Sequence, residues 1–235
     1  MDDAALIDAL SSSRQAEARR LTGEVVRRGL NAAVPALEGL CRRFKGFELR
    51  ATIPEQQAAL EALAALGGRD AAAAVSRMLA TGVVQGPGLS TALDAAARLG
   101  CRLPPDSVLI WMRHDEPEVR AAACRCARPS AQTVALLREL MGDLHDEVAE
   151  AAALALGHMG RDEARPNLLR MLGNNPTQEV VEAIAGVATN DDIVVLGRLA
   201  VARPDLADAV IEALAAIDTP RATAAANTAR KRLGR

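Results

Sequence analysis

Residues 145–172 read HDEVAEAAALALGHMGRDEARPNLLRML, and this stretch decides the fold. It reads as two short helices back to back. Asp146 is the cap candidate for the first, and Gly157 to Gly160 end it. Asp162 and Glu163 open the second, where carboxylates favour the positive end of the helix dipole. One such pair cannot bury its apolar face alone, so it needs neighbours like itself.

The chain on either side supplies them. Going outward, the spacing of apolar residues predicts pairs over 117–127 with 131–141 and over 177–189 with 192–202. Further pairs follow over 90–99 with 105–112, 55–66 with 70–80, and 205–217 with 221–233. Ser130 is a cap candidate, Gly67-Gly68 and Gly100 are stops, and Thr52-Ile53-Pro54-Glu55 fits a capping box. Counting back from the helix ends gives the equivalent positions Ala58, Thr91, Val119, Val148, Val180 and Leu206. The intervals are 33, 28, 29, 32 and 26 residues, so the unit is about 30 residues and the array about six pairs over 51–235. Residues 1–50 read as three helices, about 2–10, 14–28 and 32–44, with no clear repeat. They are expected to form an irregular N-terminal helical cap, since terminal units of arrays are atypical.

Composition agrees. Of 235 residues 50 are Ala, and only Phe44, Phe47 and Trp111 are aromatic. Such a chain favours helix over strand. A formal net charge of −2 gives no whole-molecule attraction to nucleic acid or an anionic membrane. The opening MDDAALIDAL is acidic and too short in apolar length for a signal peptide, and no run approaches the ~18 apolar residues of a membrane span. Cys41, Cys101, Cys124 and Cys126 include no CxxC pair. The expectation is a cytoplasmic protein with reduced, buried thiols.

The pattern Glu118-Val119-Arg120-Ala121-Ala122 resembles HEAT-like repeats. So does Glu147-Val148 with Ala151-Ala152 and Leu156-Gly157, and so does Ala164 with Pro166, Leu168-Leu169 and Leu172. The style is that of the short bacterial repeats named after phycobilisome lyases. The likeness is good over about 117–200, weaker over 52–112 and 205–233, and absent from 1–50. The resemblance implies an all-α, right-handed α-α solenoid whose second helices line the concave side. It also admits a bilin lyase or chaperone role, or a nucleic-acid-binding HEAT-like protein. Three aromatics are few for a pigment face or for base stacking.

No catalytic constellation is present. His114-Asp115-Glu116 and His145-Asp146-Glu147 form a repeated HDE turn. HEAT-like di-iron hydroxylases carry adjacent His-Glu dipeptides, and this chain has none, so neither metal nor cofactor is expected. Asp115 and Asp146 read instead as helix caps. Cys124-Arg125-Cys126 admits a reactive pair, since a nearby Arg lowers a thiol pKa, but a core position is the simpler expectation.

One position of the second helices repeats as Arg77, Trp111, Arg138, Arg170 and Arg198, at intervals of 34, 27, 32 and 28 residues. Each flanks core-facing residues and is expected to point outward. Arg suits bidentate contact with carboxylate, and Trp is a frequent anchor of interfaces. The expected function is a non-catalytic protein–protein scaffold that binds an acidic partner along this row. The alternative is a solvated face on which each Arg pairs with a local acid such as Glu139. The basic tail, residues 230–235, reads as cations at a helix C-terminus.

Overall fold

The computed structural model describes residues 1–13, 15–43, 53–232 and 234. Thr52 of the expected capping box lies outside these, as do Phe44, Phe47, Leu233 and Arg235. Among the described residues there are fifteen α-helices and no strand. The all-α class holds, and short helices succeed one another as the apolar spacing predicts.

Contacts divide the chain into two compact units, Met1–Arg128 and Pro129–Arg235. The first holds α1 (Asp3–Ser12), α2 (Gln15–Arg28), α3 (Val34–Arg43), α4 (Pro54–Leu66), α5 (Gly68–Ala80), α6 (Gly88–Arg98), α7 (Pro105–Trp111) and α8 (Pro117–Arg125). Its first helices stack in succession, α4 on α6 and α6 on α8. Helices α2 and α3 pack on α4 and α5 in the same order, α2 on α4 and α3 on α5. Two helices of the segment expected as an irregular cap, α2 and α3, thus pack directly on the first pair of the array. Their core residues explain why: Leu21 and Val25 of α2, and Leu37, Leu40 and Cys41 of α3, are fully or almost fully buried.

The second unit holds α9 (Ala131–Leu140), α10 (Asp146–His158), α11 (Arg165–Asn174), α12 (Gln178–Ala185), α13 (Asn190–Ala202), α14 (Ala207–Ala216) and α15 (Pro220–Arg232). Here α10 packs on α12 and α12 on α14, while α9, α11 and α13 each pack on the first helix that follows. In α10 the buried side is Val148, Ala151, Ala152, Ala155 and Leu156, spaced i, i+3, i+4, i+7, i+8 as one helical face requires.

The helix ends correct several expectations. Asp146 is the first helical residue and does not cap α10; His145 holds the cap position without a side-chain bond. The Asp143 carboxylate instead accepts the His145 N–H at 3.0 Å. Before α8 the same role falls to His114, whose Nδ1 accepts the Glu116 N–H at 3.1 Å. His114 and Asp143 are therefore the equivalent residues, five before Val119 and Val148. The two HDE tripeptides lie out of register by two residues, and Asp115 caps nothing. Ser130 does cap α9, accepting the Thr133 N–H.

Helix α10 ends within the expected stretch 157–160, but the two glycines have different roles. The helix runs through Gly157, and Gly160, at φ +66°, makes the stop. Gly157 is where the backbones of α10 and α12 meet. A Cβ there would stand 2.7 Å from Leu168 Cδ1 and 2.9 Å from the Ala183 carbonyl oxygen, and one at Gly186 would stand 2.5 Å from the Gly157 carbonyl oxygen. Thr189, expected inside the preceding helix, begins α13 instead. The Asp192 carboxylate accepts both its N–H, at 2.7 Å, and its hydroxyl, at 2.9 Å.

Candidate functional site

Amphipathic second helices leave one long side chain per turn pointing away from the core, and each Arg of the expected row lies exposed on such a face. In the first unit, Arg77 of α5 reaches back to α3, where its guanidinium meets Glu38 at 2.6 Å. The Arg77 guanidinium holds the Glu38 carboxyl below its usual range against the opposing effect of burial, and Arg42 assists. Trp111, at the end of α7, is half-buried, beside an exposed Ile110.

In the second unit, Arg138 of α9 donates to Glu163, in the turn that leads into α11, at 2.6 Å. Glu163 is held below the usual carboxylate range by its own backbone N–H and by Arg138. Arg170 of α11 stands 3.9 Å from Glu150 of α10. The acids that pair with the row are thus Glu38, Glu163 and Glu150; Arg138 takes the acid of the next repeat in place of its sequence neighbour Glu139.

Arg198 differs. It sits on α13 at the edge of a groove between α13 and α15, of about 260 Å³. The floor is aliphatic and small: Ile193, Gly197, Ala225 and Ala229, with Val194 and Val201 on the α13 wall. The other two charged residues that line it are Arg221 and Arg232. Among the described residues these three guanidiniums have no acidic partner. The α15 side of the groove is one helical stripe, Arg221, Ala224, Ala225, Thr228 and Arg232. The i, i+3, i+4, i+7, i+11 spacing was present in the sequence, but nothing local tied it to α13. Arg232, expected only as a cation at a helix C-terminus, lines this groove, whereas Arg230 bonds to Asn227.

The thiols are not a reactive pair. All four cysteines are free and buried. Burial pushes the Cys126 thiol up to about 12, and the nearby Asp94 charge adds to this. Arg125, whose proximity suggested a lowered pKa, faces Asp94 at 3.6 Å. Among the described residues no three of His, Cys, Asp and Glu come together as a metal-holding group. No helix among them is long and apolar enough to cross a membrane.

Comparison with known proteins agrees in kind. Residues 105–188 match the family described as HEAT repeats, which covers α7 to α12. The chain is also similar to crystal structures of engineered proteins from the Northeast Structural Genomics Consortium. One is 19% identical, with 98% of this chain and 78% of that chain covered and a TM-score of 0.47. A second is 17% identical, with 100% and 97% covered and a TM-score of 0.33. No curated protein matches the chain. The class of protein these features define is an all-α protein of successive short helices, with HEAT-like repeats over residues 105–188.

Proposed function

We propose that the chain is a non-catalytic interaction scaffold that binds an acidic protein partner through the outward Arg residues of its second helices, in a cytoplasmic setting. The observation that carries this reading is the exposure of Arg77, Arg138 and Arg170 in their ion pairs. Their side chains remain 56%, 53% and 50% exposed. Exposed pairs of this kind contribute only about 0–1 kcal/mol to stability. Their guanidiniums can therefore exchange an internal acid for a partner's carboxylate with little loss. Arg198 has no internal acid to exchange. No specific observation favours a bilin lyase or a nucleic-acid binder over this reading.

The test is capture of partners from the source organism, with identification by mass spectrometry, followed by titration of the purified partner. Arg138→Glu with Arg170→Glu should keep the helical circular dichroism spectrum. It should weaken partner binding by at least about tenfold and flatten its salt dependence, because reversal turns attraction into repulsion at the same site. A folded double variant that binds the partner with unchanged affinity and salt dependence rejects the reading.

A further inference from the structure

The groove between α13 and α15 is built for more than solvent. Its walls expose apolar surface, with Val194 and Val201 at 38% and 39%. Three guanidiniums stand along it and no acid lines it. Elsewhere in the same unit Arg138, Arg165, Arg170 and Arg203 each face a carboxylate. What sets Arg198, Arg221 and Arg232 apart is that all three line one groove.

Gly197 adds a separate observation. It lies inside α13, where Gly is about 1 kcal/mol worse than Ala. A methyl group there would meet only Ala225 Cβ, at an ordinary 3.8 Å. Packing thus does not require this glycine, in contrast to Gly157. Its effect is to leave open the floor between the three Arg side chains.

We propose that this groove docks an acidic amphipathic helix of a protein partner. The apolar stripe of that helix lies on Val194, Gly197, Val201 and Ala225, and its flanking Asp or Glu residues pair with Arg198, Arg221 and Arg232. This deepens the scaffold reading and rests on it. The chemistry selects the occupant. The aliphatic floor offers no ring on which a nucleobase stacks. Guanidiniums on both walls match carboxylates that flank an i, i+3, i+4 apolar stripe. The lining runs from Ile193 to Val201 on α13 and from Arg221 to Arg232 on α15, a groove of ~12–17 Å at 1.5 Å per residue.

The experiment uses the full chain and a panel of labelled peptides of about 14 residues, built from Leu, Ala and Glu, enough for ~20 Å of helix. Each peptide has a scrambled twin of identical charge that lacks the apolar stripe. Fluorescence anisotropy should show binding of striped peptides that is at least about tenfold tighter than that of their twins. Arg198→Glu with Arg232→Glu should weaken it by at least about tenfold. Gly197→Leu, which fills the floor and leaves every charge in place, should do the same. Methyl NMR shifts on the unmodified chain should centre on Val194, Val201 and Ala225, a readout that does not depend on any variant folding.

Absence of binding across the panel, or equal binding of striped and scrambled peptides, overturns the proposal. So does binding that both variants leave intact while they stay folded. Binding to mixed phosphatidylcholine and phosphatidylglycerol vesicles in place of the peptides also overturns it, in favour of a membrane surface. These outcomes leave the partner titration of the Arg138 and Arg170 variant standing, because that measurement uses other residues and another ligand.

Discussion

At the scale of single residues, Asp192 is the side chain on which burial and charge oppose each other most directly. It is 3% exposed, and the guanidinium of Arg165 meets both its oxygens at 2.8 Å. Burial alone would raise its pKa. The bonds from Arg165 and from the Thr189 N–H and hydroxyl outweigh burial and hold it below the usual range. A folded-state pKa below the unfolded value contributes stability above the unfolded value, near 3.9, and that contribution is lost as pH falls through the folded one. Asp192→Ala should therefore cost roughly 1–3 kcal/mol at neutral pH, chiefly from the donors left unpaired. The Arg165 side chain is 31% exposed, so solvent tempers the charge term. Urea denaturation should show the gap between wild type and variant shrinking below about pH 3.9. A gap that is unchanged in acid, or is absent at neutral pH, contradicts the role given to the carboxylate.

At the scale of elements, two glycines inside helices should respond in opposite directions. Gly157→Ala forces a methyl group against Leu168 and the Ala183 carbonyl. The cost should be about 1–3 kcal/mol of overpacking, only partly offset by the better helix propensity of Ala. Gly197→Ala makes only an ordinary 3.8 Å contact with Ala225 Cβ and should stabilise by up to about 1 kcal/mol. Melting temperatures of the two variants on either side of wild type would show this; shifts of the same sign would not fit. From the sequence, Gly157 to Gly160 read together as the helix stop, and α10 does end within that stretch, at His158. Only contact with α12, some 26 residues further on, separates the two roles. Helix spans, by contrast, were readable almost throughout, because caps, stops and apolar spacing are local signals.

At the scale of the molecule, the period of about 30 residues was readable for the same reason. The partners of the Arg row were not. Glu38 lies 39 residues before Arg77, and Glu163 lies 25 after Arg138. Which acid meets which Arg follows from stacking, and the periodic pattern does not record it. The same blindness hid Arg221, which in sequence looks like any cation near the end of the array and in space shares a groove with Arg198. The N-terminal helices escaped the repeat alignment because their residues differ, although α2 packs on α4 as α4 does on α6. Each unit carries its own buried core, so the fragments 1–128 and 129–235 should fold separately. Each should give a helical circular dichroism spectrum and a cooperative urea transition. A fragment with neither would show that its core is incomplete without the rest of the chain.

The glycine contact of α10 with α12 has a mechanical consequence. Side chains yield under load by changing rotamer, but a seam of backbone against backbone has no rotamers to change. With the Gly157 carbonyl oxygen against Gly186, sliding or rolling of one helix on the other drives backbone into backbone. They behave as one stiff plate. At Gly197 of α13 no such seam exists, since a methyl group there would meet only Ala225 Cβ at 3.8 Å, so the α13–α15 pair is expected to yield more readily than this one.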